Sequence, residues 1–167
     1  MNLKQILRGV SVLLIIIAFF MLIPLLIALW RGENSIIQSF IIPAGSMLAL
    51  SICSLLLIPG HQKETVSTRD GFIFVSLGWF LTAFFSALPF YLSGAIPTFV
   101  DAFFETMSGY TTTGASILTD IEVLPGSILF WRSLTHWLGG MGIVVLTVAI
   151  FPLLRVGGLQ LIKAEAP

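Results

Sequence analysis

Long apolar runs alternate with short polar breaks along this chain. The first run, residues 10–30, follows Lys4 and Arg8. It is longer than the apolar core of a secretory leader, about 7–15 residues, and no small-residue cleavage site follows it, so it predicts an uncleaved first helix. A second run, 35–58, carries Pro43 near its middle, which a membrane helix tolerates where neighbours satisfy the freed carbonyl. The break "PGHQKETVSTRD" at 59–70 brings turn residues and charge together and predicts a loop. Two further runs, 71–93 and 127–154, complete a set of four segments, each of about the 20 residues that a bilayer crossing requires.

The segment between the last two runs is patterned differently. "IPTFVDAFFETMSG" at 96–109 offers Thr98 as a helix start, Asp101 three residues on in capping-box-like spacing, and Gly109 as a stop. The expected helix, 98–108, would be near 15 Å long, about half the hydrocarbon thickness. It cannot span. Yet Phe99, Phe103, Phe104 and Met107 make it too apolar for water. A helix that enters from one face, stops midway and returns to the same face as an extended segment reconciles the two. The return would be "TTTGAS", residues 111–116. Extended backbone at membrane depth is tolerated only where protein buries it or it lines a water-filled path. There it presents a run of carbonyl oxygens, Gly114 permits a backbone conformation closed to other residues, and the short helix aims the negative end of its dipole at the membrane centre. Carbonyls and a negative dipole end together suit a dehydrated alkali cation. The plainer reading is a polar turn between two helices.

Composition agrees with a membrane protein: 57% of residues are hydrophobic and 10% charged, and the mean hydropathy is +1.04. A formal net charge of zero argues against a nucleic-acid partner. Cys53 is the one cysteine, so no disulfide framework exists, and its place in an apolar run predicts a buried structural thiol. If the N-terminus is cytoplasmic, Lys4, Arg8, Lys63, Arg69, Arg155 and Lys163 all fall inside, Arg31 lies in an outer loop and Arg132 near the outer end of the last span. This is the orientation that the positive-inside rule favours. The outer segment 94–126 then carries Asp101, Glu105, Asp120 and Glu122 and no lysine or arginine.

The order helix, short re-entrant helix, threonine-and-glycine strand, helix is the building unit of potassium channels. "DAFFETMSGYTTTGAS" followed by "FWRSLTHWLGGMGIVVL" resembles the first pore repeat of the Trk/Ktr/HKT superfamily of potassium transporters, most closely its bacterial TrkH type, and the two preceding helices resemble that branch's extra N-terminal pair. The resemblance implies an all-α integral membrane fold: a helix pair (1–58), a cytoplasmic loop (59–70), one pore repeat (71–154, with pore helix 98–108 and filter 111–116) and a cytoplasmic tail (155–167). It implies a pore of four repeats in one polypeptide, in which the backbone carbonyls of Thr111, Thr112, Thr113, Gly114 and Ala115 form one quarter of a filter and potassium sits at Thr112 and Thr113. Glycine at this place goes with potassium; serine accompanies sodium passage in some plant relatives. Implied partners are the remaining repeats, a second copy in a homodimer, a cytoplasmic nucleotide-binding subunit of TrkA type and membrane lipid, with no covalent cofactor. The implied location is the bacterial inner membrane.

One repeat is present where the family has four, which predicts a partial copy of a longer transporter rather than a tetramer of short chains; a non-conducting accessory subunit is the alternative. Other residues have two readings each. Asp101 and Glu105, at i and i+4, either cap and solvate the short helix or attract cations. Arg132 and His136 share a face of the last span, where ionisable groups are functional by default, but contact with Asp120, Glu122 or Glu105 would make them structural. "GGMG" at 139–142 is a flexible point or, more commonly, a place of close packing. An intramembrane hydrolase using Ser133 and His136 lacks a nucleophile elbow, an H-E-x-x-H pattern and a phosphate loop, so no enzymatic activity is expected.

Overall fold

A computed structural model describes residues 3–58 and 68–153. Five helices follow one another: α1 (Leu3–Arg31), α2 (Asn34–Leu57), α3 (Thr68–Leu92), α4 (Phe99–Tyr110) and α5 (Gly126–Leu153). No strand occurs among the described residues. Most of the expected loop, 59–67, and the tail from 154 onward lie outside them, as do Lys63, Arg155 and Lys163. Within the described residues α1, α2 and α3 are long and apolar enough to cross a membrane. Helix α5, with 28 residues, reaches about 42 Å at 1.5 Å per residue. The fold is all-α and membrane-spanning: a helix pair followed by a long helix, a half-length helix, an extended return and a second long helix.

Helices α1 and α2 turn back on each other through two residues. Gly32 adopts φ +70, its N–H reaches Leu29 O and the Glu33 N–H reaches Ala28 O. This pair of bonds is a Schellman ending, which needs a left-handed residue and favours glycine. Ile6, Val10, Leu14, Ile17 and Met21 form the buried stripe of α1 against Ile36, Phe40, Ala44 and Met47 of α2. The opposite faces expose Phe19 (72%), Trp30 (87%) and Leu57 (80%). A helix that is apolar all round and buried on one side only is built for lipid.

Pro24, Pro43 and Pro89 all sit inside unbroken helices, as expected for Pro43. Cys53 departs from expectation: it is exposed. The stripe of α2 that packs inward is Ile36, Ser39, Phe40, Pro43, Ala44, Met47 and Ser51, and Cys53 lies off it. An apolar run in a membrane helix does not by itself predict burial in protein, because half of such a run faces hydrocarbon.

The short helix α4 has 12 residues, about 18 Å. Thr98 caps it: its hydroxyl oxygen accepts from the Asp101 N–H at 3.2 Å and donates to Asp101 Oδ2 at 2.6 Å. The helix runs past Gly109, where the sequence suggested a stop, to Tyr110. Gly109 serves packing instead, since a Cβ there would meet Thr135 Oγ1 of α5 at 2.5 Å.

Candidate functional site

The end of α4 is held deep in the bundle. Tyr110, its last residue, is buried, shares a 2.8 Å hydrogen bond with the Ser86 hydroxyl of α3, and meets the Trp79 ring edge-on. Trp131 Nε1 of α5 donates to the Ser86 carbonyl at 3.0 Å, so one residue of α3 fixes both neighbours. On the α5 side, a Cβ at Gly139 would overlap the Tyr110 carbonyl. Gly139 lies about halfway along α5, which places the carbonyl end of α4 near mid-depth. Helix α5 continues unbroken through 139–142. Of the two readings of "GGMG", close packing is the one seen at Gly139.

From this point the chain returns in an extended form. Thr112 has φ +55 and Gly114 φ +76, while no residue between or beside them has positive φ. Left-handed backbone is ordinary for glycine but uncommon for a β-branched residue. Thr111 is right-handed, and a right-handed residue followed by a left-handed one turns successive N–H groups to one side of the chain. The N–H groups of Thr111, Thr112 and Thr113 point back to the carbonyls of Met107, Gly109 and Ser108 at 2.9, 2.9 and 3.0 Å. Within the described residues no hydrogen bond is made to the carbonyls of Thr111, Thr112, Thr113 or Gly114. The Ala115 carbonyl differs: Ser108 Oγ donates to it at 2.6 Å. All five residues are exposed. Thr111 Oγ1 donates to Met107 O at 2.8 Å and shares a 2.8 Å bond with Thr113 Oγ1, so two threonine side chains stiffen the stretch from behind.

A buried ion pair anchors the far end of the return. Glu105, only 2% exposed, takes Arg132 Nε of α5 at 2.7 Å. The same carboxylate accepts from Ser116 Oγ at 3.0 Å to each oxygen and from the Ile117 N–H at 3.1 Å. A carboxylate removed from water needs this many partners, since losing one would leave an uncompensated buried charge. Glu105 is therefore an internal brace and not a surface charge. Its i−4 neighbour Asp101 spends its carboxylate on the Thr98 cap. Arg132 pairs with Glu105, the structural reading of that residue. His136 is half-buried one turn further along α5. Ser133 Oγ donates to Leu129 O of its own helix at 3.1 Å, not to His136, so the two do not form a nucleophile and base. Asp120 Oδ1 accepts from the Glu122 N–H. Among the described residues no group of three or more His, Cys, Asp or Glu side chains could hold a metal ion. Sequence reasoning missed Ser108, and it placed Ser116 only at the end of the expected filter without its bond to Glu105; the signal was weak, since serine at either position suits a turn equally.

Comparison with known proteins matches this geometry. The family described as TrkH, a cation transport protein, matches residues 38–167. The Trk system potassium uptake protein TrkH of Halomonas elongata is 42% identical over 171 residues, covering 100% of this chain and 34% of that protein. TrkH of Escherichia coli is 42% identical over 172 residues, with the same coverage of 100% and 34%. The crystal structure of the potassium transporter TrkH from Vibrio parahaemolyticus superposes with a TM-score of 0.86 at 38% identity, over 95% of this chain and 34% of that one. The chain thus spans about a third of the length of the relatives it matches, and those relatives are named as transporters. With matching helices, return segment and sequence, this multi-pass membrane chain belongs to the TrkH family of cation transport proteins.

Proposed function

We propose that the chain forms one quarter of a potassium-conducting filter within a four-repeat transporter. The observation that carries this reading is the run of exposed carbonyls on Thr111, Thr112, Thr113 and Gly114 that nothing else in the described residues engages. The N–H groups of Thr111, Thr112 and Thr113 are tied down, so these oxygens are pre-set to replace the water around an entering ion. Potassium sits between Thr112 and Thr113, and the Ala115 carbonyl, bonded to Ser108, closes the stretch while its residue remains part of the filter wall. The remaining repeats of the same polypeptide supply the other carbonyls.

The energetics need no catalytic residue and no enzymatic step. Potassium is the transported ion, not a resident cofactor. An inside-negative potential drives each cation inward by about 2.3 kcal/mol per 100 mV. The chain lies in the bacterial inner membrane with its N-terminus in the cytoplasm, which puts Lys4, Arg8 and Arg69 on the positive side of the positive-inside rule. Asp101, at the outer end of α4, adds negative charge near the entrance; Glu105 acts there only by bracing the return. A homodimer and a cytoplasmic TrkA-type nucleotide-binding subunit complete the assembly, consistent with relatives named for the Trk system.

The test is rubidium uptake with sodium competition in transport-deficient cells that carry the chain within a complete four-repeat protein, wild type against Gly114→Ser. The reading predicts loss of potassium preference at unchanged membrane abundance. Unchanged uptake and selectivity would favour the accessory-subunit reading.

A further inference from the structure

Helix α5 begins without a cap of its own. The first N–H groups of a helix have no partner inside it, and the preceding side chain usually supplies an oxygen. Here the preceding residue is Pro125, which has none. The oxygen comes instead from Glu33, 93 positions earlier in the corner between α1 and α2. Glu33 Oε1 accepts from the Gly126 N–H at 3.0 Å, and Oε2 accepts from the Ser127 N–H at 3.2 Å and from the Ser127 hydroxyl. Its negative charge also complements the positive end of the α5 dipole. Arg31 Nε donates to Oε1 at 3.1 Å. Gly126 lies against the Arg31 side chain, where a Cβ would come within 2.7 Å of Nε.

The same helix reaches the return segment one and a half turns later. Arg132 holds Glu105, and Glu105 holds Ser116 and Ile117. Between the two clamps Ser127, Ile128 and Trp131 are fully buried, so this stretch of α5 cannot pivot freely. A change in where Glu33 seats the start of α5 is carried to the end of the carbonyl stretch.

We infer that the α1–α2 corner is a positioning element for ion selection, with Glu33 acting through α5 and the Arg132–Glu105 pair on the backbone at 111–116. This rests on the filter reading proposed above. Rubidium-over-sodium preference in the complete four-repeat protein, normalised to membrane abundance, tests it. The expected result is a fall of about threefold or more in Glu33→Ala, the size seen when a remote residue modulates a site through packed elements, with a smaller fall in Glu33→Gln, which keeps one acceptor oxygen. Ser127→Ala, which removes one donor, also falls. Arg31→Ala leaves the bonds from Glu33 to α5 in place and keeps the preference. If the Glu33 variants lose only abundance and keep wild-type preference, the corner is a staple alone and the inference is overturned. If Arg31→Ala shifts the preference as far as Glu33→Ala but in the opposite direction, surface charge at the mouth is the cause, which also overturns it. Gly114→Ser measured alongside separates the failures: preference that responds to Gly114 but not to Glu33 rejects the positioning role by itself, and preference indifferent to Gly114 rejects the filter reading and this role together.

Discussion

The α1–α2 pair and the α4–return–α5 unit solve the problem of a polar backbone in hydrocarbon in different ways. In the helix pair the backbone satisfies itself, and the side chains have only to be apolar. Three serines are buried in the pair, Ser11, Ser39 and Ser51: Ser11 bonds a carbonyl one turn back in its own helix, the Ser51 hydroxyl has no partner among the described residues, and the packing stripe is otherwise aliphatic, aromatic or small. In the second unit the backbone leaves the helix at mid-depth, where each unsatisfied peptide group costs several kcal/mol. Polar side chains gather there in answer: Glu105, Ser108, Thr111, Ser116 and Arg132 all bond the return or each other. Clusters of polar side chains bonded to one another thus mark where the chain abandons the helix, and they leave the carbonyls of Thr111, Thr112, Thr113 and Gly114 unbonded among the described residues.

Breaking the brace should separate the two regions most sharply. Glu105→Ala removes the acceptor for Arg132, Ser116 and Ile117 and strands a partly buried guanidinium. It is expected to cost about 3–5 kcal/mol, read as a large drop in thermal stability of the detergent-solubilised protein. Glu105→Gln retains an acceptor and should cost less. Equal stability of wild type and Glu105→Ala would mean that the return segment stands without its polar support.

Next in size is the backbone contact at Gly139. Gly139→Ala puts a methyl group into the Tyr110 carbonyl, an overpacking that costs about 1–3 kcal/mol. Gly140→Ala and Gly142→Ala meet nothing closer than 3.8 Å and should stay within about 0.5 kcal/mol of wild type. Comparable losses at all three sites would instead describe a flexible point, and the close-packing account would fail.

The smallest effect links the two regions. Burial by itself would raise the Glu33 carboxyl, but hydrogen bonds from the Ser127 side chain and backbone, the Gly126 backbone and Arg31 outweigh it and hold it below the ordinary value of 4.5. A depressed carboxyl stabilises the fold above its unfolded value and loses that contribution as pH falls through the folded one. Wild type should therefore exceed Glu33→Gln in melting temperature at neutral pH, and the gap should close as pH drops below 4.5. A gap that persists at low pH would show that charge is not what the corner contributes.

The helices were legible from the sequence because each apolar run is long and its breaks carry charge, glycine or proline. The half-length of α4 and the Thr98–Asp101 cap were legible for the same local reasons. Gly109 misled because a glycine at a helix end and a glycine under a crossing helix look alike until α5 is in place. A structural partner for Arg132 was legible as one of Asp120, Glu122 or Glu105, but the choice of Glu105, 27 positions away, and the Glu33 cap of α5 depend on tertiary placement, which local pattern does not encode. Gly114 announced a left-handed residue, but Thr112 did not, since threonine in that conformation is uncommon and held there by its surroundings. Cys53 shows the converse: apolar company predicts depth in the membrane, not contact with protein.

The central claim is that the unbonded carbonyls of Thr111, Thr112, Thr113 and Gly114 contact the ion. Crystals of the complete four-repeat protein grown with rubidium or thallium would test it most directly through anomalous difference maps. The account predicts density on the axis faced by these four carbonyls, displaced or lost in Gly114→Ser. Ion density elsewhere in the protein, with none against residues 111–114, would contradict it.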